Sequence, residues 1–360
     1  MALDFGSLFK KRSPALFGLD ISTSSIKLVE LSRSKKGKLR IERYAIEPLA
    51  RGVVVDGNLE NIEAVGEAVK RLVKKSGSRV KNVALALPSS AVITKKILLT
   101  EGLREDELEV QVESEASQYI PFALDEVNLD FQVIGPTAGS PGDIDVLIAA
   151  SRKEKVQDRT AVVEMAGLSA YVMDIESYAA RSAIDRCTAL LPNRGEGQIV
   201  AVFQIGANTT AVSILLNGQV VYEREQAFGG SQLTSDIART YGVTFEEAEL
   251  KKRSEDLPDN YINDLRNPFV ESISLEVTRA LQFFFTSTPY SRVDFIFLAG
   301  GCALIPSIDE VVQERTQVKT KVADPFTDME IGNDVREKQL KHDAPTLLVA
   351  CGLAMRRFDQ

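Results

Sequence analysis

Asp20 is the residue of clearest chemical meaning in this 360-residue chain, because its surroundings, "LFGLDISTSSIKLVEL" (16–31), return almost unchanged as "AVFQIGANTTAVSIL" (201–215). Aligning the two puts Gln204 on Asp20, Ile205 on Ile21, Gly206 on Ser22, Asn208 on Ser24 and Thr209 on Ser25. Each phrase is a pair of apolar runs around a tip of small and hydroxyl residues, "DISTSS" and "QIGANTT". Small side chains let backbone N–H groups close on a polyanion, and hydroxyls add donors. Two such tips face to face would grip a β- and a γ-phosphate. An aspartate at the tip's entry would orient a hydrated Mg²⁺, which keeps its waters and needs few carboxylates. One copy alone reads equally as a β-hairpin with a polar turn; the second copy favours a ligand.

Two Gly-Gly segments extend this pattern. "FLAGGCALIP" (297–306) is an apolar strand running through Gly300 and Gly301 into a helix, where a flat base or ribose could lie against backbone. "AFGGSQLTSDIA" (227–238) puts Gly229 and Gly230 before a helix whose N-terminus attracts anions. In isolation each would be a turn.

The elements that must hold these residues alternate between strand and helix periods, as in α/β domains. Strands are expected at 16–31, 38–46, 83–88, 92–99, 127–134, 144–150, 168–175, 198–204, 209–216, 219–227 and 293–301. Helices are expected at 58–75, 105–119, 152–166, 176–189, 230–241, 244–252, 262–285 and 345–357. The polar stretch "LPNRGEG" (191–197) marks a boundary between two halves, each opening on the repeated hairpin. A cleft between duplicated halves is where a ligand binds.

Composition removes other classes. A net charge of −8 argues against nucleic acid as the default partner, and the basic clusters Lys10–Lys11–Arg12, Lys35–Lys36, Lys74–Lys75 and Lys251–Lys252–Arg253 read as solvated surface. Cys187, Cys302 and Cys351 form no C-x-x-C pair and suit a reducing cytoplasm. No run of about 18 apolar residues is present. "MALDFGSLFKKR" lacks the form of a signal peptide and reads as a frayed tail, its Phe5, Leu8 and Phe9 leaving a membrane-surface contact as the alternative. The single histidine, His342, leaves no His-rich zinc site and reads as a surface residue.

With these words in order, the chain resembles the actin/Hsp70/sugar-kinase superfamily, and within it the PilM family of type IV pilus assembly. The resemblance is carried by "GLDISTSSIKLVEL", "QYIPF", "FGGSQLTSDIA", "YGVTFEEAELKK", "ALQFFF", "LAGG" and "LLVACGLAMR", spread over nearly the whole chain. FtsA-like proteins share several of them but end in a membrane-binding amphipathic helix, which "CGLAMRRFDQ" does not supply.

The resemblance implies duplicated actin-like (ribonuclease H-like) α/β domains around a nucleotide cleft. A first half would cover 1–191, with an inserted α/β subdomain at about 48–150, a second half 192–345, and a C-terminal helix (346–360) would return to the first half. It further implies ATP or ADP with Mg²⁺ ordered through water by Asp20. Ser22, Thr23, Ser24, Ser25 and Lys27 would meet the phosphates from one side and Gly206, Asn208 and Thr209 from the other, with Gly229 and Gly230 approaching by backbone. Glu249 and Lys252 match a Glu-x-x-Lys pair on ribose and base, Gly300 and Gly301 would pack on the base, and Glu176 resembles the glutamate that positions attacking water. An exposed helix face remains the alternative for Glu249 and Lys252, and a helix-terminal acid for Glu176. Gln204 stands where the family pattern has aspartate, so ATP binding with weak or absent turnover is expected, with Glu176 and Gln204 as the catalytic positions. The implied partner is the cytoplasmic N-terminal peptide of a PilN-like inner-membrane protein, with Tyr119, Pro121 and Phe122 as candidate contacts and core packing as the alternative for Ile120. Other pilus components could join it, and the protein would be cytoplasmic, held peripherally at the inner membrane by partners, with no nucleic acid and no direct membrane insertion. The competing functions are an FtsA-like filament anchor and a small-molecule kinase.

Overall fold

The structure, a computed structural model, describes residues 14–254 and 256–359. The Lys10–Lys11–Arg12 cluster and the N-terminal tail lie outside the described residues. The first half runs β1 (Leu16–Ile21), β2 (Ser25–Arg33), β3 (Leu39–Pro48), β4 (Val54–Val55), β5 (Asn58–Leu59), α1 (Ile62–Ser76), β6 (Asn82–Leu87), β7 (Ile93–Thr100), α2 (Glu105–Ala116), β8 (Val127–Pro136), β9 (Asp143–Arg152), α3 (Lys153–Met165), β10 (Ser169–Ile175) and α4 (Glu176–Thr188). The second runs β11 (Ile199–Ile205), β12 (Thr210–Leu216), β13 (Gln219–Gln226), α5 (Ser231–Tyr241), α6 (Phe245–Ser254), α7 (Asn267–Ser287), β14 (Phe295–Ala299), α8 (Ile308–Thr316) and β15 (Lys319–Val322). The chain then returns through β16 (Glu330–Ile331), α9 (Glu337–Asp343) and α10 (Leu348–Met355).

The duplication extends beyond the hairpins. One sheet has the order β10-β6-β1-β2-β3-β16 and another β13-β12-β11-β14-β15. Leaving out β16, both read fifth-fourth-first-second-third, with an antiparallel hairpin pair first and parallel strands after it. Each first strand is therefore interior, paired on both sides, which is why β1 is buried along its whole length and apolar but for Asp20.

Register carries the functional residues to matching places. Asp20 lies opposite Lys27 across β1–β2, and Gln204 lies opposite Ala211 across β11–β12. α1 shows how local chemistry sets an element: the Asn61 side chain accepts from the Ala64 amide at 2.9 Å, and Gly77 ends the helix in a left-handed conformation. That cap starts the helix at Ile62 rather than at 58, because Asn58–Leu59 pairs with Val54–Val55 as a small hairpin.

The two sheets share one core. Val29, Leu31 and Ile41 of the first pack through α4 and α10 onto Val200, Val202, Leu215, Phe295 and Phe297 of the second. α10, "LVACGLAM", is apolar all round because it is buried all round. Backbones touch directly here: a Cβ on Gly352 would run into the Ala179 carbonyl, and one on Gly18 into the Ala350 carbonyl and the Ala354 amide.

The inserted unit is smaller than the expected span of about 48–150. β6 pairs with β1 and β10 in the six-stranded sheet, and α1 packs Val65, Val69 and Leu72 onto that sheet's core. β7, β9 and β8 form a separate three-stranded sheet, closed on one face by Leu108, Val112 and Ala116 of α2. The "VALALP" strand is legible locally, but its partners are distant, Phe17 of β1 and Ala170 of β10 both lying opposite Val83, so its sheet is not. The segment after "FLAGG", read only as far as a following helix, adds α8, β15, β16 and α9.

Gly352→Val is predicted to cost about 3 kcal/mol or more, since backbone rather than a flexible side chain must move. Gly301→Ala, where an added Cβ meets nothing, is predicted to stay within about 0.5 kcal/mol of the parent. Parallel urea denaturation curves check both.

Candidate functional site: two tips on a shared core

At the first tip Asp20 and Lys27 form a buried ion pair. Lys27 Nζ is 2.8 Å from Asp20 Oδ2 and 2.8 Å from Ser22 Oγ, and the two residues are 6% and 9% exposed. Ser22 closes the turn by donating from its amide (3.1 Å) and hydroxyl (2.9 Å) to the Ser25 carbonyl. Ser22, Thr23 and Ser24 keep partial exposure while Ser25 is buried. Thr23 and Ser24 thus face outward from a turn that is itself braced from behind.

Glu176, the first residue of α4, faces this pair. Although part of its surface remains accessible, burial of its carboxyl pushes its pKa up to about 7, with the Asp20 charge adding to the effect and Arg159 and Lys27 opposing it. Arg159 on α3 is 2% exposed and donates to the Gly57 carbonyl at 3.1 Å. A buried guanidinium needs anionic company, and the anions that stabilise its charge are Glu176, Asp20 and Asp158. Sequence reasoning missed Arg159, which reads as one more polar position in "KEKVQDRTAVVEM".

The second tip is built differently. The Gly206 amide donates to Thr209 O at 2.9 Å, closing the turn. The Gly206 and Ala207 carbonyls accept from the amides at the start of α5, that of its N-cap Gly230 at 2.9 Å and that of Ser231 at 2.8 Å, and the Ser231 hydroxyl donates to Asn208 Oδ1 at 2.8 Å. Gly229 and Gly230 are glycines for packing: a Cβ on Gly229 would strike the Ala207 carbonyl, and one on Gly230 would lie 2.9 Å from Cys302 Sγ. They are buried, and the Gly230 amide donates to the Gly206 carbonyl of the tip. Gly300, at φ +85°, presses on the Ile205 backbone, whereas Gly301 beside it is exposed and open. Asn208 is exposed and Thr209 half-buried.

Glu249 and Lys252 join this second cluster. Lys252 Nζ lies 2.6 Å from Glu249 Oε2 and 2.6 Å from Thr234 Oγ1, whose hydroxyl bonds the same carboxylate oxygen at 2.8 Å. Burial alone would raise the Glu249 pKa, but Lys252 and Thr234 together hold it below its ordinary value. Thr234 also touches the Gly230 carbonyl at 3.2 Å, so the pair is wired to the second tip through a residue that sequence reasoning did not single out. Cys302 completes the packing, its thiol pushed up to about 12 by burial.

The halves also meet at the rim. The Arg51 guanidinium lies 4.5 Å from the centroid of Phe245, which shares a face of α6 with Glu249 and Lys252. Ser177 hydrogen-bonds Glu223 of β13, and the charge of Glu225, on the same strand, raises Glu176 further.

Asp20, expected to order Mg²⁺ through water, has its carboxylate in contact with Lys27 Nζ, and Gln204 at the matching place brings no charge. The partner candidates lie apart, on the separate three-stranded unit. Tyr119 and Phe122 are 44% and 39% exposed, with Lys95 and Arg152 over their rings at 5.0 and 5.5 Å, and Pro121 is exposed while Ile120 is buried in the core under α2. His342 is exposed on the last turn of α9.

Two sheets of one topology, each opening on the same hairpin and joined through a shared helical core, define an actin-like α/β protein. The family model described as type IV pilus assembly protein PilM matches residues 18–358, and the chain belongs to that family. Among solved structures, a chain of a PilM–PilN type IV pilus biogenesis complex is 26% identical with a TM-score of 0.79, covering 97% of this chain and 100% of that one. Ethanolamine utilization protein EutJ from Carboxydothermus hydrogenoformans is 18% identical with a TM-score of 0.57, covering 95% and 89%, and shares the fold. FtsA of Enterococcus hirae is 22% identical over 355 residues, covering 86% of this chain and 78% of FtsA.

Lys27→Met, which strands the Asp20 carboxylate, is predicted to cost about 3–5 kcal/mol, and adding Asp20→Asn should recover much of it. A urea-denaturation double-mutant cycle measures this. Glu176 has a folded pKa raised from 4.5 to about 7, so the native state holds a proton that the unfolded chain releases. Its contribution is therefore intact below about pH 4.5 and lost as pH rises towards 7. Relative to Glu176→Gln, the parent should lose on the order of 2 kcal/mol between pH 4.5 and 7.5, discounted for partial solvent access, by denaturation at each pH.

Proposed function

We propose that this protein is a nucleotide-loaded scaffold of type IV pilus assembly that captures the N-terminal peptide of a PilN-like inner-membrane protein and is held at the membrane through it. The observation that carries the proposal is the end-to-end likeness to a chain solved as a PilM–PilN complex. The paired tips supply the nucleotide part. Thr23 and Ser24 present amides and hydroxyls on one side, Asn208 and Thr209 on the other, and Lys27 brings a cation to the first. Glu249 and Lys252, beside the second tip, suit the polar edge of a ribose, and open Gly301 leaves room for a base.

The same residues favour holding over hydrolysis. Glu176, half ionised near pH 7, is a competent general base for a water. Gln204, however, brings no charge to the developing transition state, and electrostatic stabilisation there is usually the largest single term. For the partner, exposed Tyr119, Pro121 and Phe122 offer two aromatic anchors about a rigid turn, and an extended peptide would gain by burying them.

Calorimetric titration with N-terminal peptides of candidate pilus inner-membrane proteins, with and without ATP, tests the scaffold. Binding is expected, with Tyr119→Ala and Phe122→Ala each weakening it roughly tenfold; no binding in either state contradicts the proposal. Hydrolysis is expected to be slow and to rise in Gln204→Asp. Turnover of tens per minute, unchanged by that substitution, would contradict the account of Gln204.

A further inference from the structure

The duplication makes one asymmetry visible. In the first hairpin the two positions facing each other across the ladder, seven residues apart, are Asp20 and Lys27, an acid and a base; in the second they are Gln204 and Ala211, which are neither. The acid and base that face each other across a hairpin ladder therefore belong to the first hairpin alone, where they are in contact at 2.8 Å. A divalent ion between such tips would have to share the Asp20 carboxylate with an ammonium already in contact with it, and Gln204 offers no second carboxylate.

Lys27 is also fixed in a way that leaves it something to give. An ammonium has three N–H donors. One is taken by Asp20 Oδ2 and one by Ser22 Oγ, both at 2.8 Å, leaving the third, at the base of the turn that carries Thr23 and Ser24. Ser22 is anchored to Ser25, and strand register rather than rotamer choice sets Lys27 opposite Asp20, so the ammonium is preorganised. Buried in this way, a cation is screened little by salt and interacts more strongly with a polyanion than it would at the surface.

We propose that Lys27 takes over the charge-neutralising role of a divalent ion, so that this protein binds its nucleoside polyphosphate without Mg²⁺. The third donor meets a phosphate oxygen, the amides and hydroxyls of the tips meet others, and Asp20 serves to hold Lys27 rather than a hydrated metal. The proposal rests on the nucleotide site proposed above.

The test is calorimetric titration of the full chain with ATP in excess Mg²⁺ and again in excess EDTA. The expected result is a dissociation constant within about threefold between the two conditions. Gln204→Asp, which returns a second carboxylate, should restore dependence on the ion, binding at least tenfold more weakly in EDTA than in Mg²⁺. Parent protein that binds in Mg²⁺ but at least tenfold more weakly in EDTA overturns the proposal while leaving the nucleotide site standing. No binding in either condition overturns both. The comparison on the parent protein requires no substitution, so it stands even where a Lys27 variant fails to fold.

Discussion

The close backbone packing around α10 is the constraint on which the rest of the architecture depends. Two sheets can share one core here because the layer between them is made of Ala179, Ala183, Ala350, Cys351, Gly352 and Ala354. With larger side chains the sheets would move apart, and the fixed relation between the two hairpins would go with them. Close packing of this kind transmits displacement rather than absorbing it. Glu176 shows the benefit: as the first residue of α4 it is held by that layer, within electrostatic reach of Asp20 and Lys27 on one half and Glu225 on the other.

On this frame the two tips have diverged. The first keeps a buried ion pair and a braced turn whose outward face is free. The second is stitched to α5 by three hydrogen bonds and to α6 through Thr234, Glu249 and Lys252. On the proposed nucleotide reading the first tip is a charged jaw, with Asp20 and Lys27, and the second jaw has Gln204 and Ala211 at the matching positions. Losing charge from the second jaw weakens any step that develops charge between them and costs less in simple binding, which relies on donors and shape. A grip of this kind suits a protein whose work is to hold a state while partners assemble on it.

The sequence showed as much of this as is local. The hairpins, their tips and both Gly-Gly segments are legible because alternation, small residues and repetition all lie within about 15 residues. Membership of the actin-like class and the PilM family followed from the same words. What stayed hidden depends on distant neighbours. "VALALP" is plainly a strand, yet its place beside β1 is set by pairing across the chain, so the insert looked larger than it is. Arg159 is buried because a turn carbonyl at Gly57 reaches it, which no periodicity in α3 announces. That the Asp20 carboxylate contacts Lys27 appears only once the strand register is known. The short strands β15 and β16 carry too few residues to show alternation.

The central claim is that a nucleotide is held between both tips at once. Backbone amide hydrogen exchange with and without ATP measures this most directly. The account predicts that ATP slows exchange together at Ser22–Ser25 and at Gly206–Thr209, with little change in α10, which is already buried. Protection at one tip alone, or at neither, would contradict it.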